Sequence, residues 1–169
     1  RRRRPRLVVA RARSGATERI AAALALSGVV VVLDQASKQA VVSLLGDGER
    51  VALVPGLDLA LTYNTGVAFG ALRDFGDTIG WLVAVTLVLL VAHFVRNADV
   101  PWLWLPVGAI VGGALGNLAD RARIGAVIDF IDPVAWPAFN LADTAIVLGV
   151  AGFVVVSERA PRSLPTRGA

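Results

Sequence analysis

Four runs of predominantly apolar residues, each about as long as a bilayer-spanning helix, constrain this chain more than any other feature. A helix needs about 20 such residues to cross the hydrocarbon core. The runs cover 20–42, 77–95, 101–121 and 137–157, with polar residues near their ends. Trp81, Trp102 and Trp104 lie close to run ends, where interfacial aromatic rings belong. Composition agrees, because 56% of the 169 residues are apolar and only 18% are charged. That leaves too little polar surface for a soluble domain of this size. The expected fold is an all-α polytopic membrane protein with four transmembrane helices. A basic extension over 1–19 precedes the four-helix membrane domain at 20–157, and a cytoplasmic tail is expected over 158–169, polar and disordered from Ala160.

Charge orients the spans. Of the 17 Arg and Lys residues, 12 fall at the termini or in the 96–100 connection, against Lys38, Arg50, Arg73, Arg121 and Arg123 on the other side. Of the 13 acids, 10 lie with the smaller group. Both termini are therefore expected to be cytoplasmic. The pI near 10.9 also suits a nucleic-acid binder. No aromatic or glycine-rich binding module accompanies the arginines, so no nucleic-acid partner is expected. The first run is not read as a cleavable signal, since three further runs follow it. No methionine occurs, even at position 1, so the natural start is expected upstream.

The extracytoplasmic connection at 43–76 is more than a linker. Leu57-Asp58-Leu59-Ala60-Leu61-Thr62-Tyr63-Asn64 places apolar residues at alternate positions, the period of a half-buried strand. A small extracytoplasmic β-sheet between helices 1 and 2 is expected there. The connection at 122–136 reads as a short loop.

Polar residues in apolar helices cost a few kcal/mol at the bilayer centre and so mark function. Here they gather on one side. Asp34, Gln35 and Lys38 end helix 1, Asn117, Asp120 and Arg121 end helix 3, and Asn140 and Asp143 open helix 4. Asp129 stands alone among Ala126, Val127, Ile128, Phe130 and Ile131. Structural roles compete with functional ones at several positions. Asp34 and Lys38 are spaced for an i,i+4 ion pair, Asn140 for an N-cap, and Asp120 for a pair with Arg121. Asp129 and Asp143 have no adjacent cation and flank one short connection. The single lysine among 16 arginines suggests that a compact ammonium is needed at position 38.

Inventory narrows the chemistry. There is no cysteine for a thiol nucleophile, and the only histidine, His93, lies at the far end of helix 2. A Ser-His-Asp triad and a zinc-binding H-E-x-x-H are unavailable. A Ser-Lys dyad would need Lys38, whose neighbour Ser37 points elsewhere on the helix. Paired carboxylates remain, one protonated and one ionised, able to activate water and protonate a departing amine. Desolvation at Asp129 favours its acid form. The dipole at the start of helix 4 favours an anion at Asp143, whereas Asp120 has cations nearby. No metal or other cofactor is expected.

Four blocks resemble the bacterial lipoprotein signal peptidase family, also called signal peptidase II. They are Asp34-Gln35-Ala36-Ser37-Lys38; Tyr63-Asn64-Thr65-Gly66-Val67-Ala68-Phe69-Gly70; Gly112-Gly113-Ala114-Leu115-Gly116-Asn117-Leu118-Ala119-Asp120-Arg121; and Val127-Ile128-Asp129-Phe130 with Phe139-Asn140-Leu141-Ala142-Asp143. The resemblance extends over nearly the whole chain. It implies a monomeric enzyme of the bacterial cytoplasmic membrane that removes signal peptides from prolipoproteins, cutting before a diacylglyceryl-modified cysteine. It also implies a metal-free aspartyl mechanism with Asp129 and Asp143 as the dyad. Asn64, Gly66, Asn117, Arg121 and Asn140 match substrate- or inhibitor-binding positions, and Asp34 and Lys38 match polar positions at the end of helix 1. The implied partners are a lipidated prolipoprotein and membrane lipid. The arginine-rich N-terminus is an extension beyond the family pattern.

Overall fold

The computed structural model describes residues 5–46, 49–65 and 76–159, apart from the side chains of 5–14 and 76–80. The expected C-terminal tail lies almost wholly outside the described residues. In chain order the elements are α1 (Pro5–Leu44), β1 (Arg50–Val54), β2 (Leu57–Asn64), α2 (Gly76–Arg96), α3 (Trp104–Ile124), β3 (Val127–Pro133) and α4 (Leu141–Arg159).

The helix boundaries depart from expectation for local reasons. α1 has 40 residues rather than starting at position 20. At 1.5 Å per residue it is about 60 Å long, roughly twice the hydrocarbon core. Its extra turns are rich in arginine and alanine, good helix formers, and Pro5 suits the first turn. α3 starts later than position 101 because Trp102 has a φ of 67° and interrupts the helix. It runs on to Gly125, whose φ of 73° makes a left-handed C-cap donating to the Arg121 carbonyl at 3.0 Å. α4 starts at Leu141, not 137, because Phe139 pairs with β3 and Asn140 caps the helix.

Among the described residues, two helical stretches, Gly15–Leu44 and Leu141–Arg159, are long and apolar enough to cross a membrane. Only 17% and 11% of their apolar windows are buried inside the protein. Exposed Leu24, Val32, Val147 and Leu148 would form large apolar patches in water, so these faces suit lipid. Within α2, the stretch Trp81–Arg96 is also apolar.

α3 is the central strut, packed along both α1 and α4, while α2 rests chiefly on α3. Glycines make that approach possible. A Cβ at Gly113 would overlap the Ala142 carbonyl oxygen, and one at Gly116 would lie 2.6 Å from Asp34 Oδ2. The backbones of α1 and α4 therefore meet α3 at the depth where its polar residues emerge.

The expected strand is β2, with the same limits. It is the middle strand of an antiparallel sheet ordered β1-β2-β3. The third strand comes from between α3 and α4, so the sheet is not confined to the connection between helices 1 and 2. Val127, Ile128, Phe130 and Ile131 supply the β-branched and aromatic character that favours a strand. Arg50 reaches across the sheet to Asp132 at 2.8 Å and Asp58 at 3.8 Å. Pairing Thr62 with Asp129 and Asn64 with Val127 carries Asp129 to the N-terminus of α4.

Candidate active site

Two polar assemblies meet at the junction of the helices and the sheet. The first is a buried ion network. Lys38 Nζ lies 2.8 Å from Asp34 Oδ2 and 2.8 Å from Asp120 Oδ2, and donates to Asn117 Oδ1 at 2.9 Å. Asp34, Lys38 and Asp120 are essentially inaccessible to solvent. Such charges persist in a low-dielectric interior only with close partners. Asp34 Oδ1 also accepts the Ala142 N–H at 3.0 Å, tying α1 to the first turn of α4. Gln35 Nε2 donates to Asp120 Oδ1 at 3.0 Å, and the Ile128 N–H donates to Asp120 Oδ2 at 3.3 Å.

The expected pair of Asp120 with Arg121 is corrected. The partners of Asp120 are Lys38 and Arg123, the latter at 3.0 Å. Arg123 is three residues on and shares its helix face. Arg121 is exposed and makes no ion pair among the described residues. The i,i+4 pair of Asp34 and Lys38 is present. A Ser-Lys dyad is not assembled, because the Ser37 hydroxyl donates to the Asp34 carbonyl and Lys38 is committed to the network.

The second assembly contains Asp129 and Asp143. Asp129 is only 2% exposed, on β3, and each carboxylate oxygen meets an amide. Asn140 Nδ2 donates to Oδ1 at 2.7 Å, and Asn64 Nδ2 donates to Oδ2 at 2.9 Å. Asp143 stands in the first turn of α4 and is half-buried. Its Oδ1 accepts from Asn117 Nδ2 at 2.8 Å and its Oδ2 from the Asn140 N–H at 3.1 Å. Asn140 Oδ1 in turn accepts the Asp143 N–H at 2.9 Å. This is a reciprocal capping box in which the carboxylate three residues on is Asp143. Asn140 is thus both the helix cap and a bridge between the two aspartates, so the two readings of that residue are compatible.

Electrostatics separate this pair from the first. Burial raises the Asp129 carboxyl above the usual aspartate range, and the nearby Asp143 charge adds to the rise. Hydrogen bonds from Asn64 and Asn140 and the charge of Lys38 pull the other way. An apolar cavity of about 350 Å³ opens beside Asp143, lined also by Trp136, Phe139, Thr144, Val147 and Leu148. Among the described residues, no group of three or more His, Cys, Asp or Glu side chains could hold a metal. The donor set is carboxylate and carboxamide.

The structure therefore gathers Asp34, Lys38, Asn64, Asn117, Asp120, Asp129, Asn140 and Asp143 into one contiguous region. Arg121 stays at its surface, and Gly66 lies outside the described residues. Gln35, placed by the sequence in the polar group ending helix 1, joins the network, and Arg123 is an additional member. The i,i+3 spacing of Arg123 from Asp120 was the available signal.

Comparison with known proteins gives the chain its family. The family profile for signal peptidase (SPase) II matches residues 26–158. The chain is 46% identical over 127 residues to a lipoprotein signal peptidase of Pelotomaculum thermopropionicum, covering 72% of this chain and 81% of that one. It is 41% identical over 147 residues to one from Aeromonas hydrophila subsp. hydrophila, covering 81% and 88%. A bacterial membrane enzyme solved by the in meso method at 1.9 Å superposes with a TM-score of 0.75 at 26% identity, covering 82% of this chain and 94% of that one. A family match over residues 26–158, with identities of 41–46% across most of each chain, decides the assignment: this chain belongs to the signal peptidase II family.

Proposed function

We infer that this protein is an intramembrane aspartyl endopeptidase that removes the signal peptide from diacylglyceryl-modified prolipoproteins, cutting before the lipidated cysteine. The observation that carries the mechanism is Asn140. It holds Asp129 through its side chain and Asp143 through its cap. Two carboxyls joined in this way, one buried and biased toward its acid form, suit acid–base hydrolysis. Asp143 takes a proton from water as the water oxygen adds to the scissile carbonyl carbon. Asp129 gives its proton to the departing nitrogen as the C–N bond breaks. The products are a signal peptide ending in a new carboxylate and a lipidated cysteine with a free amine. The proton then returns from Asp143 to Asp129 through solvent.

The substrate arrives sideways from the bilayer. The cavity beside Asp143 is walled by Trp136, Phe139, Val147 and Leu148, which suits apolar substrate groups. Each lipid methylene buried supplies about 0.8 kcal/mol. The enzyme is a monomer of the bacterial cytoplasmic membrane with four spans and cytoplasmic termini. Its basic N-terminus and C-terminal tail flank the 20–157 membrane domain, and the sheet and dyad lie near the extracytoplasmic face. Asn64, Gly66, Asn117, Arg121 and Asn140 line or support the substrate path, while Asp34, Lys38 and Asp120 brace it.

The test is incubation of purified protein in detergent with a lipidated prolipoprotein, an unlipidated counterpart and excess chelator. The lipidated substrate should be shortened at the cysteine, with chelator present or absent. Equal cleavage of the unlipidated peptide, or loss of activity in chelator that added zinc restores, would refute this reading.

A further inference from the structure

Resting on the assignment of Asp143 as the base, we propose that Lys38 is a positioning residue for that base, acting through the side-chain amide of Asn117. The contacts form a chain across three helices, from Lys38 on α1 to Asn117 on α3 and Asp143 on α4.

Counting protons makes the argument. An ammonium has three N–H donors and no acceptor. Lys38 has three acceptors, Asp34, Asp120 and Asn117 Oδ1, at 2.8, 2.8 and 2.9 Å. Two of its protons serve buried carboxylates, and the third serves a neutral amide oxygen. That third bond decides which way Asn117 faces. With its oxygen toward Lys38, Asn117 must present Nδ2 to Asp143, 2.8 Å away. Turning the amide over would set NH₂ against an ammonium and a carbonyl oxygen against a carboxylate, both repulsive.

Asn140 is the only other donor to Asn117 Oδ1 among the described residues, at 3.0 Å, and it is overcommitted. Its two amide protons also face Asp129 Oδ1 at 2.7 Å and the Ile128 carbonyl at 3.2 Å. The carboxylate takes the stronger share. Lys38 is therefore the donor dedicated to Asn117. Arginine would not replace it, because a planar fork cannot direct three protons to three acceptors set around a point. The single lysine in a chain otherwise built with 16 arginines has a geometric reason to be lysine.

Asp143, so oriented, keeps both oxygens accepting and aimed by fixed donors. Without Lys38, Asn117 loses the donor that anchors its oxygen, the amide is held at the Asp143 end alone, and the base loses part of its aim. A misplaced catalytic group costs about 100-fold in rate.

The test is a double-mutant cycle on kcat per folded enzyme. Lys38→Met and Asn117→Ala should each lower kcat by about 10- to 100-fold with KM shifted less than about threefold. Their combination should be no slower than the slower single variant, because one path carries both effects. Lys38→Arg should fail to restore kcat. Lys38→Met also strands two buried carboxylates, so Lys38→Met/Asp120→Asn, which removes one charge of each sign, is compared with Asp120→Asn alone. The same loss of kcat is expected in that pair. Parent kcat in folded Lys38 variants, or multiplicative losses in the cycle, would overturn the relay and leave Lys38 a purely structural ion. Asp143→Asn is run alongside. If it turns over substrate, the assignment of the base has failed, and that outcome is distinct from failure of the relay.

Discussion

Two pairs of aspartates meet where the helices join the sheet in this protein, and they are built on opposite principles. Asp34 and Asp120 share an ammonium, with Lys38 at 2.8 Å from each. Asp129 and Asp143 share an asparagine, with Asn140 bonded to both. The ammonium places an opposite charge directly between its two carboxylates. A carboxamide donates hydrogen bonds without neutralising anything, so its pair keeps a reason to hold a proton. Burial pushes Asp129 in that direction. The difference shows how one small region can use the same residue type as scaffold and as reagent. What separates them is the charge of the group placed between.

This contrast can be broken first where stability is largest. Asp34→Asn removes one charge of a buried ion pair and leaves one acceptor oxygen for Lys38 and the Ala142 N–H to share, and should cost about 3–5 kcal/mol. Asp129→Asn sets an NH₂ against one of the two amide donors but strands no buried charge, and should cost less. Thermal unfolding of both variants in one detergent gives the comparison, and equal losses would erase the distinction between scaffold and reagent.

A smaller effect probes the packing under the ion network. A Cβ at Gly116 would lie 2.6 Å from Asp34 Oδ2. Gly116→Ala should destabilise by about 1–3 kcal/mol, as overpacking does. Asp34→Ser in the same chain should relieve part of that cost by removing the oxygen in conflict. Strictly additive losses would show that the contact is not the cause.

The smallest effect is a pH dependence of stability. Because the folded Asp129 carboxyl is raised above its unfolded value, its contribution is full below the unfolded aspartate pKa of about 3.9. It is lost as pH rises through the raised folded value. Asp129→Asn cannot ionise and escapes that loss. Parent and variant should differ least in acid, and the variant should gain on the parent as pH rises toward neutrality. A gain in the opposite direction would mean that the fold prefers the anion.

Local features of this arrangement were legible in the sequence. β2 has the limits its alternating pattern marks, and Asp34 meets Lys38 because four residues bring side chains together on any helix. Asn140 caps α4 as its residue type suggests. The long-range partners were not legible. Asp120 lies beside Arg121 in the chain but meets Lys38 on another helix, an encounter that depends on glycines letting α1 close on α3. β3 escaped notice because Asp129 interrupts an apolar run, and the strand reveals itself only when paired with β2. The extra length of α1 was hidden by reading charge as the end of a helix rather than the end of a membrane span.

The most direct measurement is specific cleavage activity per folded molecule for Asp129→Asn, Asp143→Asn and Asp120→Asn, using a lipidated prolipoprotein. Asp129→Asn and Asp143→Asn should each lose about 10⁴-fold or more, as loss of a principal catalytic group does, while inserting and purifying like the parent. Asp120→Asn should melt earlier yet keep measurable turnover once corrected for the folded fraction. A well-folded Asp120→Asn with no activity, beside an Asp129→Asn near the parent rate, would reverse the roles assigned to the two pairs.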